Sequence, residues 1–486
     1  MDSAAFRQSG HALVDWIADY LEHSERYPVL ARVKPGEIAA ALPPQAPEDG
    51  EPFDAIMADF ERLLVPGLTH WNHPGFFAYF AITGSAPGVL ADFLSAALNQ
   101  QAMLWRTSPA ATELESVTLE WLRRLIGLPD GFEGVIYDTA SIATMHALVA
   151  ARETAIAGVR AKGLAGRSDV PPARVYCSDQ THSSIDKAMI AIGLGHEALR
   201  KIPSDAEFRM RADALGDAIA EDRDAGRIPV AVVATVGTTS TTSIDPVPAI
   251  ADICARERIW LHVDAAYAGV AAMLPSHAHV LKGAERADSV VVNPHKWLFT
   301  PFDLSAFYCR RMDVVRAAFS LTPEYLRTSD PAAVRNLMDT GVQLGRRFRA
   351  LKLWMVLRSY GARAIRERLA EHIRLAQLVA GWVDTHPDFE RLAPVPFSVV
   401  CFRWRPNGAS RAPGWDDAAL DQANERLIDA VNQTGEVFLS HTRLNGRIAL
   451  RMAIGHLRTT EQHVQRAWEL LQEHAAGLML HSSRHD

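Results

Sequence analysis

The sequence predicts an α/β protein with a mainly parallel sheet covered by helices on both faces, followed by a small C-terminal α+β domain. Three observations point there. Short runs rich in β-branched residues alternate with helical segments between residues 75 and 310. These runs are almost continuously apolar, as strands buried on both faces must be. Beyond residue 345, a long helical stretch gives way to alternating strand-like and helical segments.

The elements follow in order. FRQSGHALVDWIADYLEHSERY carries apolar residues at helical spacing. KPGEIAAALPPQAPEDGEPFD is rich in Pro and Gly and reads as a connection around one short helix. FDAIMADFERLLVPG is helical again. Residues 1–75 thus form a helical arm with too little material for its own core, expected to pack on a partner subunit. The large domain, 76–360, holds the predicted strands 134–139, 174–178, 230–236, 260–264, 289–293 and 304–309. Catalytic groups in such a sheet belong at the carboxyl ends of its strands. After the helical RRFRALKLWMVLRSYG comes the small domain, 361–486, with strand-like SVVCFRW and GRIALRMAIG and helical DAALDQANERLIDAVNQTG and EQHVQRAWELLQEHA.

At 486 residues, 48% apolar and 22% charged, the chain can bury a large core. A net charge of −7 argues against a general nucleic-acid binder, which presents a basic face. Cys177, Cys254, Cys309 and Cys401 form no CxxC pair and sit in apolar runs, as buried thiols in a reducing compartment would. The N-terminus shows no basic start followed by an apolar stretch, and no run of 18 apolar residues occurs. The expectation is a cytoplasmic enzyme that does not span a membrane.

The strand ends carry the chemistry. In VVNPHKWLF, Lys296 stands among apolar neighbours, where a lysine needs a partner or a role. Taken alone it could be a surface lysine whose stem lies on Trp297. WLHVDAAYAG puts Asp264 at a strand end, where an acid is often only a helix cap. YDTASIATMHAL sets Thr139, Ala140 and Ser141 between a strand and a helix, a place that attracts phosphate or simply caps. SDQTHSSIDKA gives His182 after another strand, and VGTTSTTSIDP is a polar loop with Thr239 and Asp245. Singly each has a structural reading. Together they are a lysine, an acid, an imidazole and a phosphate cradle at successive strand ends. Pyridoxal phosphate needs those parts: an amine for its aldehyde, an acid for its ring nitrogen, N–H donors for its phosphate and a flat group against its ring.

WLHVDAAYAG, NPHKWL, SDQTHSS, SPAATELE and LGRRFRALKLW resemble the group II pyridoxal-phosphate decarboxylases, particularly the aromatic-L-amino-acid decarboxylases. The similarity runs from about residue 10 to 475. It implies a fold-type I, aspartate-aminotransferase-like homodimer with a mainly parallel seven-stranded sheet and an active site at the subunit interface. By position it makes Lys296 the residue that bonds the cofactor aldehyde and Asp264 the partner of the ring nitrogen. His182 stacks on the ring near the substrate carboxylate. Ala140, Ser141, Asn293 and His295 hold the phosphate, with Thr239 and Ala266 also at the cofactor. Trp71, Tyr79 and Phe80 match an aromatic substrate wall, with Trp105 near it; core packing is the other reading of Trp71 and Phe80.

The chain departs from the family in places. The family's loop tyrosine, which protonates the product carbon, falls on Leu337 when counted back from Leu344-Gly345; Tyr325 belongs to the earlier PEYL element. Relatives that lack this tyrosine form aldehyde, ammonia and peroxide from O2. Amine formation and oxidative aldehyde formation therefore both stand as expectations. Ala81-Ile82 replaces a Pro-Thr pair, and Gly345 matches a position linked to indolic substrates. An aminotransferase with Arg451 as its carboxylate clamp, and an inactive dimeric binding protein, are the remaining alternatives. Ser184 to Lys187 fits an SxxK pattern without companion motifs. His262 and Asp264 alternate on one strand face but have no third metal ligand at suitable spacing.

Overall fold

The structure, a computed structural model, describes residues 1–321, 334–406 and 415–482. The chain divides into two units, one of Ile82–Ile373 with Ala393–Val399, the other of Met1–Ala81, Arg374–Leu392 and Val400–Asp486.

The first unit is built on seven strands: β1 Glu133–Tyr137, β2 Ala173–Ser178, β3 Leu199–Ile202, β4 Ile228–Thr235, β5 Trp260–Asp264, β6 Ser289–Val292 and β7 Ser305–Cys309. Their order across the sheet is β1-β7-β6-β5-β4-β2-β3. β7 runs antiparallel to both its neighbours, and the β2, β3, β4, β5 and β6 pairings are parallel. All strands but β7 therefore end at the same edge. Both faces are covered, which explains the unbroken apolar runs. Along β2, Val175 and Cys177 join an apolar cluster with helices Ala140–Ala155 and Ser184–Ala191. Tyr176 between them points to the other face and donates to Asp222 of helix Ala212–Asp224 at 3.0 Å. Each fully buried Val or Leu of this kind contributes about 1.5–3 kcal/mol.

The second unit holds a four-stranded sheet in the order β10-β11-β9-β8, with β8 Phe389–Arg391, β9 Val399–Trp404, β10 Ser440–Leu444 and β11 Arg447–Ala453. Helix Asp417–Gln433 starts at Asp416, whose carboxylate accepts the Ala419 N–H, and buries Leu420, Ala423, Leu427 and Val431 along one stripe. Helix Ser3–Glu22 starts at Asp2, which caps Ala4 and Ala5. None of its residues is buried in this chain.

The sequence reading drew boundaries after residues 75 and 360; the units part after 81 and 373. Both differences have a local cause. Phe438 donates to Gly75, Phe77 to Phe438 and Ala453 to Phe77, which ties residues 75–77 to the small sheet. Helical structure runs from Ala350 to Thr385 and only changes direction at Gly361, whose φ is +70°. All four cysteines are buried. Among the described residues no helix is long and apolar enough to cross a membrane.

Candidate active site

Five strands deliver the predicted residues to one edge of the large sheet. β1 leads into Ala140 and Ser141, β2 into His182, β4 into Thr239, β5 ends on Asp264, and β6 leads into Asn293, His295 and Lys296. All of these lie in the same unit.

The turn after β6 is tied down around the lysine. Pro294 opens a one-turn helix, Pro294–Trp297, where its missing N–H is no loss. The Lys296 N–H bonds the Asn293 carbonyl at 2.9 Å. Trp297 is fully buried, stacks on Tyr267 at 4.9 Å and donates to His372 at 3.0 Å. The turn is thus anchored on Trp297, next to the half-buried Lys296. His295 is buried; its Nδ1 accepts the Leu304 N–H at 2.9 Å, and its Nε2 lies 3.2 Å from the side-chain nitrogen of Asn293. Burial, with the Lys296 and Lys352 charges, pushes its pKa down to about 3, so the ring is neutral. Asn293 is held in turn by the Ser305 hydroxyl at 2.6 Å.

Asp264 and His182 complete the group. Asp264 is buried, and its Oδ1 accepts the Ala266 N–H at 3.0 Å. The second oxygen remains for a ring nitrogen. The Ala266 carbonyl accepts the Asn293 N–H, which couples the ends of β5 and β6. His182 Nδ1 accepts the Ser184 N–H at 3.1 Å. Partial burial and the Lys296 charge hold the His182 pKa below the usual imidazole value, against the pull of Asp264. The ring is close enough to feel both groups. Thr239 is exposed at the tip of a turn that Thr238 and Ser243 close beneath it.

These residues fit pyridoxal phosphate. The 16-residue helix Ala140–Ala155 has no side-chain cap. Its first-turn N–H groups, at Ala140, Ser141 and Ile142, have no acceptor within the helix, as an anion site requires. His262, by contrast, is spent on structure: Nδ1 meets Ser289 at 2.9 Å and Nε2 meets Thr144 at 3.2 Å.

Other predicted residues stand elsewhere. Leu337 opens a short 3₁₀ turn and is 1% exposed, within the apolar cluster that includes Val135, Tyr137 and Phe307. In this conformation it presents nothing to a bound molecule. Trp105 donates to Glu113 at 2.7 Å. Gly345 is exposed, and a Cβ there would meet Gln101 at 3.2 Å. Trp71, Tyr79 and Phe80 belong to the other unit. Trp71 stacks on Phe76 and Tyr79 at 4.4 and 5.7 Å, and the Arg451 guanidinium lies 4.6 Å over Phe80. Tyr325 lies outside the described residues.

Sequence reasoning missed the support for the connection from β1 into helix Ala140–Ala155. The segment from Thr340 to Gln343 is pinned to the connection that leads into it. Tyr137 donates its hydroxyl to the Thr340 carbonyl, His146 Nε2 accepts the Val342 N–H at 3.3 Å, and Gln343 bonds Asp138 at 3.3 Å. Gly341 is required there, because a Cβ would come within 2.8 Å of the His146 ring. No local pattern in the sequence pairs residues 200 positions apart.

Comparison with known proteins extends these findings. The pyridoxal-dependent decarboxylase conserved domain matches residues 35–405. A phenylacetaldehyde synthase of Arabidopsis thaliana is 40% identical, covering 99% of this chain and 97% of the relative. Tryptophan decarboxylase 1 of Oryza sativa subsp. japonica is also 40% identical, covering 96% of this chain and 93% of the relative. The crystal structure of Oryza sativa TDC with PLP and tryptamine superposes with a TM-score of 0.94 at 39% identity, covering 99% of both chains. With these matches over nearly its whole length, and a set of strand ends suited to that cofactor, the chain belongs to the pyridoxal-dependent decarboxylase family.

Proposed function

We propose that this protein decarboxylates an aromatic L-amino acid to the amine and CO2, with Lys296 bonding the cofactor aldehyde. The observation that supports the reading is the arrival of Lys296, Asp264 and His182 at the ends of β6, β5 and β2, on the same edge of the sheet where β1 leads into the uncapped helix at Ala140. Relatives named tyrosine and tryptophan decarboxylases support the aromatic substrate class. Bound here, pyridoxal phosphate supplies a sink for the electrons of the broken bond between Cα and the carboxylate. The chain's residues do the rest. Ala140, Ser141, Asn293 and His295 hold the phosphate, with Thr239 at the mouth. The buried Asp264 carboxylate keeps a proton on the ring nitrogen. His182, whose Nδ1 accepts the Ser184 N–H and whose proton therefore sits on Nε2, would lie against the ring and offer that proton to the product carbon. Trp71, Tyr79 and Phe80 supply the aromatic wall.

The reading includes a homodimer, which helix Ser3–Glu22 supports. Phe6 and Val14 are exposed, and the helix buries none of its residues in its own chain. A second copy supplies the missing cover; sedimentation of a monomer at micromolar concentration would refute this.

A second reading rests on Leu337. It has no proton to give, and relatives named phenylacetaldehyde synthases accompany the decarboxylases. The reaction would then consume O2 and water and release aldehyde, CO2, ammonia and peroxide. The decisive experiment incubates purified protein with L-Phe, L-Tyr, L-Trp and L-DOPA and measures all products. Amine matching CO2 without peroxide supports the first reading. Peroxide and ammonia matching CO2 support the second. Turnover of none of the four overturns both. Lys296→Ala should abolish the visible absorbance of the lysine-bound cofactor.

A further inference from the structure

We propose a second binding site, for an amino acid with an apolar side chain, at the end of the large sheet opposite Lys296. A cavity of about 320 Å³ lies where β4 and β5 begin. That size is at the lower end for small-molecule pockets and suits a single amino acid. β5 separates it from Asp264 by about 13 Å, taking the usual rise per strand residue. It shares no residue with the cofactor group.

The lining offers three kinds of surface. Ala151, Ala255 and Val230 form an apolar wall, and Trp260 adds a flat one. Arg258 and Arg311 bring guanidiniums that make no ion pair among the described residues; Arg311 lies 5.6 Å from the Trp260 ring. Arg286, the third, is already held by Asp252 at 2.7 Å. Asp288 is half-buried, and only its Oδ2 is engaged, by the Leu261 N–H at 2.8 Å. Helices Ala140–Ala155 and Val247–Glu257 both end at the cavity, so the negative ends of their dipoles face it.

Arg258 is unusual in its backbone. It caps helix Val247–Glu257 with φ +57°, a left-handed conformation that favours Gly or Asn. The fold tolerates arginine there, and the side chain stands at the cavity.

These surfaces match a zwitterion. The carboxylate meets Arg258 and Arg311, the ammonium meets Asp288 and the helix ends, and the side chain lies along the alanines. A simple anion would leave the acidic half unmet. A simple cation would face the Arg258 and Arg311 guanidiniums, the latter already acting on Asp288. The inference is independent of the substrate proposed above.

The test is equilibrium dialysis of the cofactor-loaded enzyme against labelled L-norleucine. We expect saturable binding of one molecule per chain, retained in Lys296→Ala. Arg311→Met and Ala255→Trp should each weaken it about tenfold or more, equivalent to about 1.4 kcal/mol, without changing turnover at limiting substrate. Acetate and butylamine, each carrying half of the charge pattern, should compete at least about tenfold more weakly. An unchanged unfolding midpoint checks that both variants are folded. Absence of saturable binding, its loss only in Lys296→Ala, insensitivity to both cavity variants, or competition by acetate as strong as that of unlabelled norleucine would each overturn the assignment.

Discussion

Asp264 and Leu337 show opposite relations between a side chain and its place. Asp264 is an acid kept buried at a strand end, one oxygen bonded by Ala266. In the proposed function its charge would act on a bound ring in a water-poor site, where electrostatic stabilisation is strongest. Asp264→Asn should therefore lower turnover by about 10²–10³-fold, read from steady-state kinetics, while the protein still folds. Near-normal turnover would remove Asp264 from the reaction. Leu337 is apolar and packed with Val135 and Phe307. Leu337→Tyr forces a larger side chain and a hydroxyl into that cluster. A loss of about 1–3 kcal/mol is expected, measured by urea unfolding. An unchanged midpoint would mean that the side chain leaves the cluster, and a raised share of amine in the same variant would place position 337 at the reacting carbon.

At the scale of elements, the central strands and the apolar edge strand β1 were legible, and the short polar edges were not. The predicted 260–264 coincides with β5, and the other five predicted runs in the large sheet fall within one or two residues of their strands. Central strands announce themselves because both faces are buried. β3 (LRKI), β8 (FER) and β10 (SHTRL) were not anticipated. Each is a sheet edge, and edge strands are short and polar because one side faces solvent. The support for the connection into helix Ala140–Ala155 was equally hidden. Gly341→Ala would push a methyl group to 2.8 Å from His146 and 3.3 Å from Tyr137. The expected result is a loss of about 1–3 kcal/mol together with weaker cofactor retention, measured by thermal unfolding and by titration with pyridoxal phosphate. Loss of stability with unchanged cofactor affinity would disconnect the segment from the cradle.

At the scale of the molecule, buried imidazoles set the response to acid. Burial lowers His73, His146 and His262 from 6.5 to about 4, and His295 to about 3. Below the ordinary value the unfolded chain takes up more protons than the folded one. Stability conferred by these neutral rings is therefore full above pH 6.5 and falls as pH drops towards 4. Asp245 works the other way: burial raises it from 3.8 to about 6, so its share of stability grows as pH falls through that window. Burial raises Asp288 as well, and four imidazoles against two carboxyls predict a net loss between pH 6.5 and 4. Urea midpoints at pH 7, 6 and 5 would check this, and a flat profile would refute it.

The amino-acid pattern alone determined the fold class and the central strands, and it drew attention to the strand-end residues proposed to hold the cofactor. These depend on local burial and on the rule that chemistry gathers at strand ends. Lys296, Asp264, His182, Asn293 and Ala140 stand out as candidates because each ends a strand or follows one within four residues. Tertiary structure decided the rest. It placed residues 1–81 with the C-terminal sheet, packed Leu337 into the apolar cluster on β1 and β7, and set Thr340 to Gln343 against Tyr137, Asp138 and His146. Those pairings join residues far apart in the chain, so their energy resides in contacts that no local spacing encodes.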